Sequence, residues 1–168
     1  MQGGIIRIYN GTGRGKSPAA LGRAVQAASR GRRVVIIQFL KNKGLSETEF
    51  IKRLEPDIKV FRFEKSEEGY DALSPKERED EIVNIRNGIN YARKVLNTGE
   101  CDMLILDEVL GLVDNGIITV DELKQILDLK SEDQDIIMTG NTVTESLCDL
   151  ADEITTITTR FNEGFRPQ

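Results

Sequence analysis

The stretch Ile5-Ile6-Arg7-Ile8-Tyr9-Asn10-Gly11-Thr12-Gly13-Arg14-Gly15-Lys16-Ser17 decides how this chain is read. An apolar run is followed by a turn with glycine at every second position, then by Lys-Ser opening a helical pattern. Strand, glycine-rich turn and helix start form the layout of a phosphate-binding P-loop. Glycines let backbone N–H groups curl around phosphate oxygens without Cβ clashes. The helix N-terminus adds its dipole, Lys16 a charge and Ser17 a hydroxyl for Mg²⁺. The common spacing places a glycine six residues before the lysine; Asn10 stands there instead. Asn10, Gly11, Thr12, Gly13, Arg14, Gly15, Lys16 and Ser17 are the expected nucleotide-binding residues, with Lys16 also catalytic.

Outward from that loop, short β-branched or aliphatic runs alternate with helical patterns. Strands are expected at 4–9, 33–40, 58–63, 103–107, 135–139 and 153–158, and helices at about 16–30, 46–54, 75–97, 119–129 and 143–151. Near-continuous apolar strands suit a parallel sheet covered on both faces. In the 75–97 pattern, Ile82, Ile85, Ile89, Ala92 and Leu96 form one stripe, Ser74-Pro75 reads as its start and Gly99 as its stop. The predicted fold is a single doubly wound α/β domain over 1–168. Its sheet is mainly parallel with about six strands, of the P-loop NTPase type (RecA-like). Ligands of such sheets sit at the carboxyl ends of the strands.

Composition narrows the chemistry. The 168 residues carry a net charge of −5, and no basic block stands out, so nucleic acid is not expected as a partner. No apolar run is long enough to span a bilayer and the N-terminus lacks the layout of a signal peptide, so no membrane partner and a cytoplasmic location are expected. Cys101 and Cys148 have no metal-ligand spacing and read as reduced, semi-buried thiols. The absence of histidine removes His-based triads and imidazole-ligated zinc. Catalysis must therefore rest on positioning, electrostatics and a metal, or on a reactive substrate.

Leu104-Ile105-Leu106-Asp107-Glu108 reads as an apolar strand delivering two carboxylates beside the loop. With Ser17, Asp107 and Glu108 are the expected ligands of Mg²⁺ or Mn²⁺, and Glu108 is also a candidate catalytic residue. Thr139-Gly140-Asn141 closes the fifth strand on the same edge, and its polar groups are candidates to touch ribose or phosphate. Gln38, ending the second strand, is a further polar contact. The charged segment 64–81 reads as a solvated loop and helix start that lies over the site.

Gly11–Gly22, Val35–Lys41, Met103–Glu108 and Met138–Gly140 together resemble the ATP:cob(I)alamin adenosyltransferases, P-loop enzymes of corrinoid adenosylation. The resemblance extends from the first strand to Asn162-Glu163-Gly164-Phe165, and it accounts for the alternating glycines. It implies that a Co(I) corrinoid, as substrate, attacks the 5′ carbon of the co-substrate ATP and releases triphosphate, in cobalamin biosynthesis or salvage. It further implies that Gly11, Thr12, Gly13, Gly15 and Lys16 hold the triphosphate. Ser17 and Glu108 match metal-associated positions, Glu108 more strongly than Asp107. By the same resemblance Tyr70 is expected against the lower face of the corrinoid, and a flavoprotein reductant and a homodimer are the implied partners. Several positions depart from the family pattern. Ser17-Pro18 replaces Thr-Thr, and Arg14 stands where a second lysine is common. Gly69-Tyr70 is followed by Ala72 and Leu73 rather than a tryptophan. Lys130-Ser131 stands for Arg-Pro, Asn141 for an arginine and Thr159-Arg160 for Lys-His. Two other readings stay open on the motifs: another P-loop ATPase or kinase, and a catalytically weakened ATP- or corrinoid-binding paralogue.

Overall fold

In the computed structural model, residues 3–40, 50–63, 66 and 68–166 are described. Six strands form one parallel sheet: β1 (Ile6–Asn10), β2 (Val34–Gln38), β3 (Ile58–Arg62), β4 (Met103–Asp107), β5 (Asp135–Gly140) and β6 (Glu153–Thr156), in the order β3-β2-β4-β5-β1-β6. The helices are α1 (Lys16–Ala28), α2 (Pro75–Thr98), α3 (Val109–Asp114), α4 (Val120–Leu127) and the single turn α5 (Glu145–Cys148). The doubly wound, parallel α/β reading holds.

Alternate residues of each strand go to opposite layers. Val35 and Ile37 of β2 pack with Leu104, Leu106, Ile136 and Met138 against Ile85, Ile89, Ala92 and Val95 of α2. Val34 and Ile36 pack with Met103, Ile105 and Ile137 against Ala20, Ala24 and Ala27 of α1. The buried stripe of α1 is alanine, so its axis lies close to the sheet and its first turn is held near the strand ends. β4 is buried along its whole length.

α2 begins as the sequence predicts. Ser74 Oγ accepts from the Glu77 N–H (3.4 Å), the Glu77 carboxylate accepts from the Ser74 N–H (2.8 Å), and Pro75 occupies the first turn. Those bonds pull the Glu77 pKa below the ordinary carboxylate value. Gly99, at φ 64°, ends the helix in a left-handed turn that costs a side chain more than it costs glycine.

Other boundaries moved. β1 starts and ends later than expected, which puts Asn10 inside the strand, paired opposite Gly140. β2 stops at Gln38, short of Leu40, whose φ is +50°. Of the helix expected at 46–54, residues 46–49 lie outside the described residues; Phe50 and Ile51 are helical and Lys52–Leu54 form a 3-10 turn. α3 was not expected, because six residues containing a glycine are too few to show a helical period. The helix expected at 143–151 contracts to α5, capped by Thr144 accepting from the Leu147 N–H at 3.4 Å.

Candidate active site

The register sets Gln38 beside Asp107 and Asn10 beside Gly140, so the carboxyl ends of four strands form one rim. The glycine-rich loop rises from this rim into α1. Lys16, the first residue of α1, is 7% exposed, and its Nζ donates to the carbonyls of Gly11 (2.6 Å) and Gly13 (3.1 Å). Gly15, at the helix cap, offers no side chain to the N–H groups of the first turn, and that turn contains no acidic residue. An uncapped helix N-terminus beside a buried ammonium is a ready anion site.

The loop is clasped from both sides. The Gly11 N–H donates to the Asn141 carbonyl (3.2 Å), and the Gly13 N–H to the Ile157 carbonyl (3.1 Å), just past β6. A Cβ on Gly13 would lie 2.7 Å from that carbonyl oxygen, and one on Gly11, at φ +121°, would strike it too. Both glycines are therefore required by the close approach of the last strand. The Arg14 N–H donates to Thr159 Oγ1 (3.0 Å), and its guanidinium lies 5.6 Å from the centre of the Phe161 ring, which stacks on Phe165. Asn10 gives its side chain to the same clasp, accepting from Thr156 Oγ1 at 2.9 Å. Thr12 lies within the loop. Sequence reasoning missed the clasp, because Ile157 acts through its backbone and carries no motif.

The two carboxylates of the Asp107-Glu108 pair part company. Asp107 is 3% exposed; its Oδ1 accepts from Ser17 Oγ (2.8 Å) and from Thr139 Oγ1 (2.7 Å). Glu108 turns at φ 63°, a conformation rare for a non-glycine residue, and its carboxylate lines the adjoining cavity beside Gly111. Thr139 is fully buried, so it positions others rather than touching ribose or phosphate. Its oxygen accepts from the Glu108 N–H (2.8 Å) while its hydroxyl proton goes to Asp107. It thus fixes the point at which the pair divides.

Gln38 sits next to Asp107, and its Oε1 is buried with no hydrogen-bond partner among the described residues. A buried acceptor left unmatched costs about 1–3 kcal/mol unless a bound donor satisfies it. Ser17, Asp107 and Gln38 together supply the hard oxygen donors that Mg²⁺ takes alongside nucleotide phosphates.

Beyond Glu108 and Asn141 the rim opens into a cavity of about 520 Å³, whose walls include Leu40, Gly69, Tyr70, Asp71, Ala72, Gly111, Asp114 and Asn115. The 3-10 turn Tyr70–Ala72 is anchored by Arg78, which donates to the carbonyls of Tyr70 (3.3 Å) and Asp71 (2.8 Å) and sits 5.4 Å from the Tyr70 ring centre. This part of the charged segment does border the site; Glu64, Lys65 and Glu67 lie outside the described residues. Both cysteines are free. Burial pushes the Cys101 thiol up to about 12, with Asp102 adding to the shift, which makes it a core group and no nucleophile.

A glycine-rich loop and a strand-end carboxylate on neighbouring sides of an intervening β5 define the class as a P-loop nucleotide-binding α/β protein. The KaiC-like protein from Pyrococcus horikoshii OT3 shares the fold at a TM-score of 0.61 (15% identity, 93% of this chain, 74% of that one). So does the flagellar accessory protein FlaH from Methanocaldococcus jannaschii, at 0.62 (17% identity, 95% and 73%). Residues 2–164 match the family model of the ATP:corrinoid adenosyltransferases BtuR/CobO/CobP, and the chain belongs to that family of transferases. It is 28% identical to the corrinoid adenosyltransferase of Escherichia coli K12 and 27% identical to that of Salmonella typhimurium LT2, in each case over 98% of this chain and 83% of the relative.

Proposed function

We propose that this chain transfers the 5′-deoxyadenosyl group of ATP to the Co(I) centre of a corrinoid substrate in cobalamin biosynthesis or salvage. The observation that supports the reading is the position of Asn141, whose carbonyl accepts from the Gly11 N–H of the glycine-rich loop and which also lines, with Glu108, a cavity walled by Tyr70 and Asp71. Co(I) supplies the electron pair of the new Co–C5′ bond; the C5′–O bond breaks and triphosphate leaves with its pair. The protein contributes no nucleophile, in keeping with a chain without histidine and with Cys101 held neutral. Its work is orientation and charge stabilisation.

Lys16 leaves the carbonyls of Gly11 and Gly13 to meet the triphosphate, and the first turn of α1 donates its N–H groups there. Mg²⁺ or Mn²⁺, when bound, offsets charge on the leaving triphosphate. Ser17 and Asp107 would hold it, with Gln38 accepting from a ligated water or a ribose hydroxyl. Tyr70 shields the lower face of the corrinoid from water. We further propose one domain over 1–168 in the cytoplasm, a homodimer, and a flavoprotein as source of the electron. No helix among the described residues is long and apolar enough to cross a membrane.

The test is the visible spectrum of the protein with ATP, Mg²⁺ and chemically reduced cobalamin. A cobalt–carbon bond should form with one triphosphate released per turnover. Release of phosphate and ADP without a change at cobalt would overturn adenosyl transfer in favour of an ATPase.

A further inference from the structure

Arginines gather at the opposite end of the sheet from the glycine-rich loop. Two cavities, of about 390 and 90 Å³, share Arg7, Arg30, Arg32 and Asp135 in their walls. Asp133 adds to the larger and Arg23 to the smaller. Asp135 opens β5, Arg7 lies near the start of β1, and Arg30 and Arg32 follow the end of α1. The thirteen residues of α1, about 20 Å long, separate this cluster from the loop. Two of the cations are already spent. Arg32 donates to Asp135 and to the carbonyls of Asp102 (2.7 Å) and Asp133 (3.1 Å), and Arg23 donates to the Tyr9 hydroxyl (3.0 Å). Both oxygens of Asp135 already accept, one from Arg32 and the other from the Ile5 N–H (2.7 Å).

The other two cations are not spent. The Arg7 side chain is 14% exposed, yet its guanidinium makes no hydrogen bond among the described residues. Its Nε is buried 3.4 Å from the Glu153 carboxylate, and its Nη1 lies 3.9 Å from Asp135. The Arg30 guanidinium has no partner among the described residues. Four arginines against Asp133, Asp135 and Glu153 leave the cluster positive, in a chain whose net charge is −5. A mostly buried guanidinium with its donors unmade has lost hydration without recovering it in bonds. An oxyanion supplies the missing acceptors, and the forked donors of arginine match the oxygens of phosphate. We propose that Arg7 and Arg30 form a second anion site, which takes the phosphate group of a small molecule and is separate from the glycine-rich loop. Phosphate held there bridges β1, the strand that leads into the loop, to the chain that leaves α1. This site is independent of the adenosyl-transfer reading.

The probes are inorganic phosphate, a free anion, and glycerol phosphate, a phosphomonoester. Each is titrated calorimetrically into the full chain at constant ionic strength, with the loop filled by Mg²⁺ and a non-hydrolysable ATP analogue. One equivalent of phosphate should bind with a Kd of about 1 mM or tighter. Backbone amide shifts should move at Ile5, which lines the larger cavity, and not at Gly13 in the loop. Binding of both probes assigns the site to phosphomonoesters, and binding of inorganic phosphate alone assigns it to the free anion. Arg30→Gln and Arg7→Gln should each weaken phosphate by about tenfold or more. Arg33→Gln removes the same charge from a residue that lines neither cavity and pairs with Asp102, and it should bind phosphate as the parent does. Arg30 is exposed and without a side-chain partner among the described residues, so its replacement decides the matter should Arg7→Gln fail to fold. Failure of either probe to bind with the loop filled overturns the inference. So does binding that is unchanged in Arg30→Gln, or that falls equally in Arg33→Gln; the arginines are then an ion-pair network only.

Discussion

The glycine-rich loop and the Gly69–Ala72 segment face the same end of the sheet but are held in opposite ways. The loop is fixed by backbone carbonyls of Asn141 and Ile157, contributed by the ends of β5 and β6 on either side of β1. The Gly69–Ala72 segment is tied to the rest of the molecule by side chains: Arg78 donates to two of its carbonyls, and Tyr70 packs against the core. A backbone clasp is indifferent to most substitutions, so the shape of the loop is set by the fold. Side-chain anchorage lets the cavity change its ligand without disturbing the loop.

The largest test of that division is Lys16→Ala. Losing a buried ammonium that meets the triphosphate should lower kcat/KM by roughly 10²- to 10³-fold, while corrinoid affinity stays near that of the parent. Calorimetric titration of ATP and of corrinoid separately reads both halves. Loss of both together would mean that loop and cavity are one site energetically.

Next comes the parted pair. The family resemblance favours Glu108 as the metal-linked residue, whereas the hydrogen bond to Ser17 favours Asp107. Asp107→Asn is expected to raise the Mg²⁺ concentration for half-activity by about tenfold and Glu108→Gln by less; the reverse order restores the family assignment. Thr139→Val removes one hydroxyl that serves both residues, leaving the Glu108 N–H without its acceptor. A loss of about 1–3 kcal/mol in urea unfolding is expected, with a modest rise in the Mg²⁺ requirement.

Arg78→Ala sharpens the other side of the comparison. Freed of its anchor, the Tyr70–Ala72 turn should raise KM for the corrinoid by about three- to tenfold and shift ATP affinity by less than about twofold. An equal shift in both would show that the segment supports the nucleotide as well. The smallest effect is assigned to Pro18→Thr. It restores an N–H and a hydroxyl in the first turn of α1, and ATP should bind about two- to fivefold more tightly with little change in stability. Unchanged or weaker binding would make Pro18 neutral at this site.

What was legible in the sequence follows the same divide. The loop, Lys16, Ser17 and the buried strand ending at Asp107 combine local motifs with periodicity, and both are visible along the chain. The roles of Thr139, Gln38 and Ile157 depend on which strands become neighbours: β5 inserts between β1 and β4, and β6 covers the far edge of β1. No local pattern announces a fully buried threonine as the fixing point of an aspartate, or a carbonyl as a clasp. Glu108 read as a metal-linked residue from the Asp-Glu strand end and the family resemblance; no local pattern showed that its backbone would turn at φ 63° and set it on the cavity side of Asp107.

The position of β1 has a consequence for synthesis. The strand that carries the glycine-rich loop precedes the other five, yet both of its neighbours come much later in the sequence, at 135–140 and 153–156. Its pairings are thus among the longest-range in the molecule and the slowest to close. A chain emerging from the ribosome carries its glycine-rich loop unpaired until Ile157 and Thr159 have appeared. The clasp on the loop is therefore completed only once β6 and the residues just after it have been made.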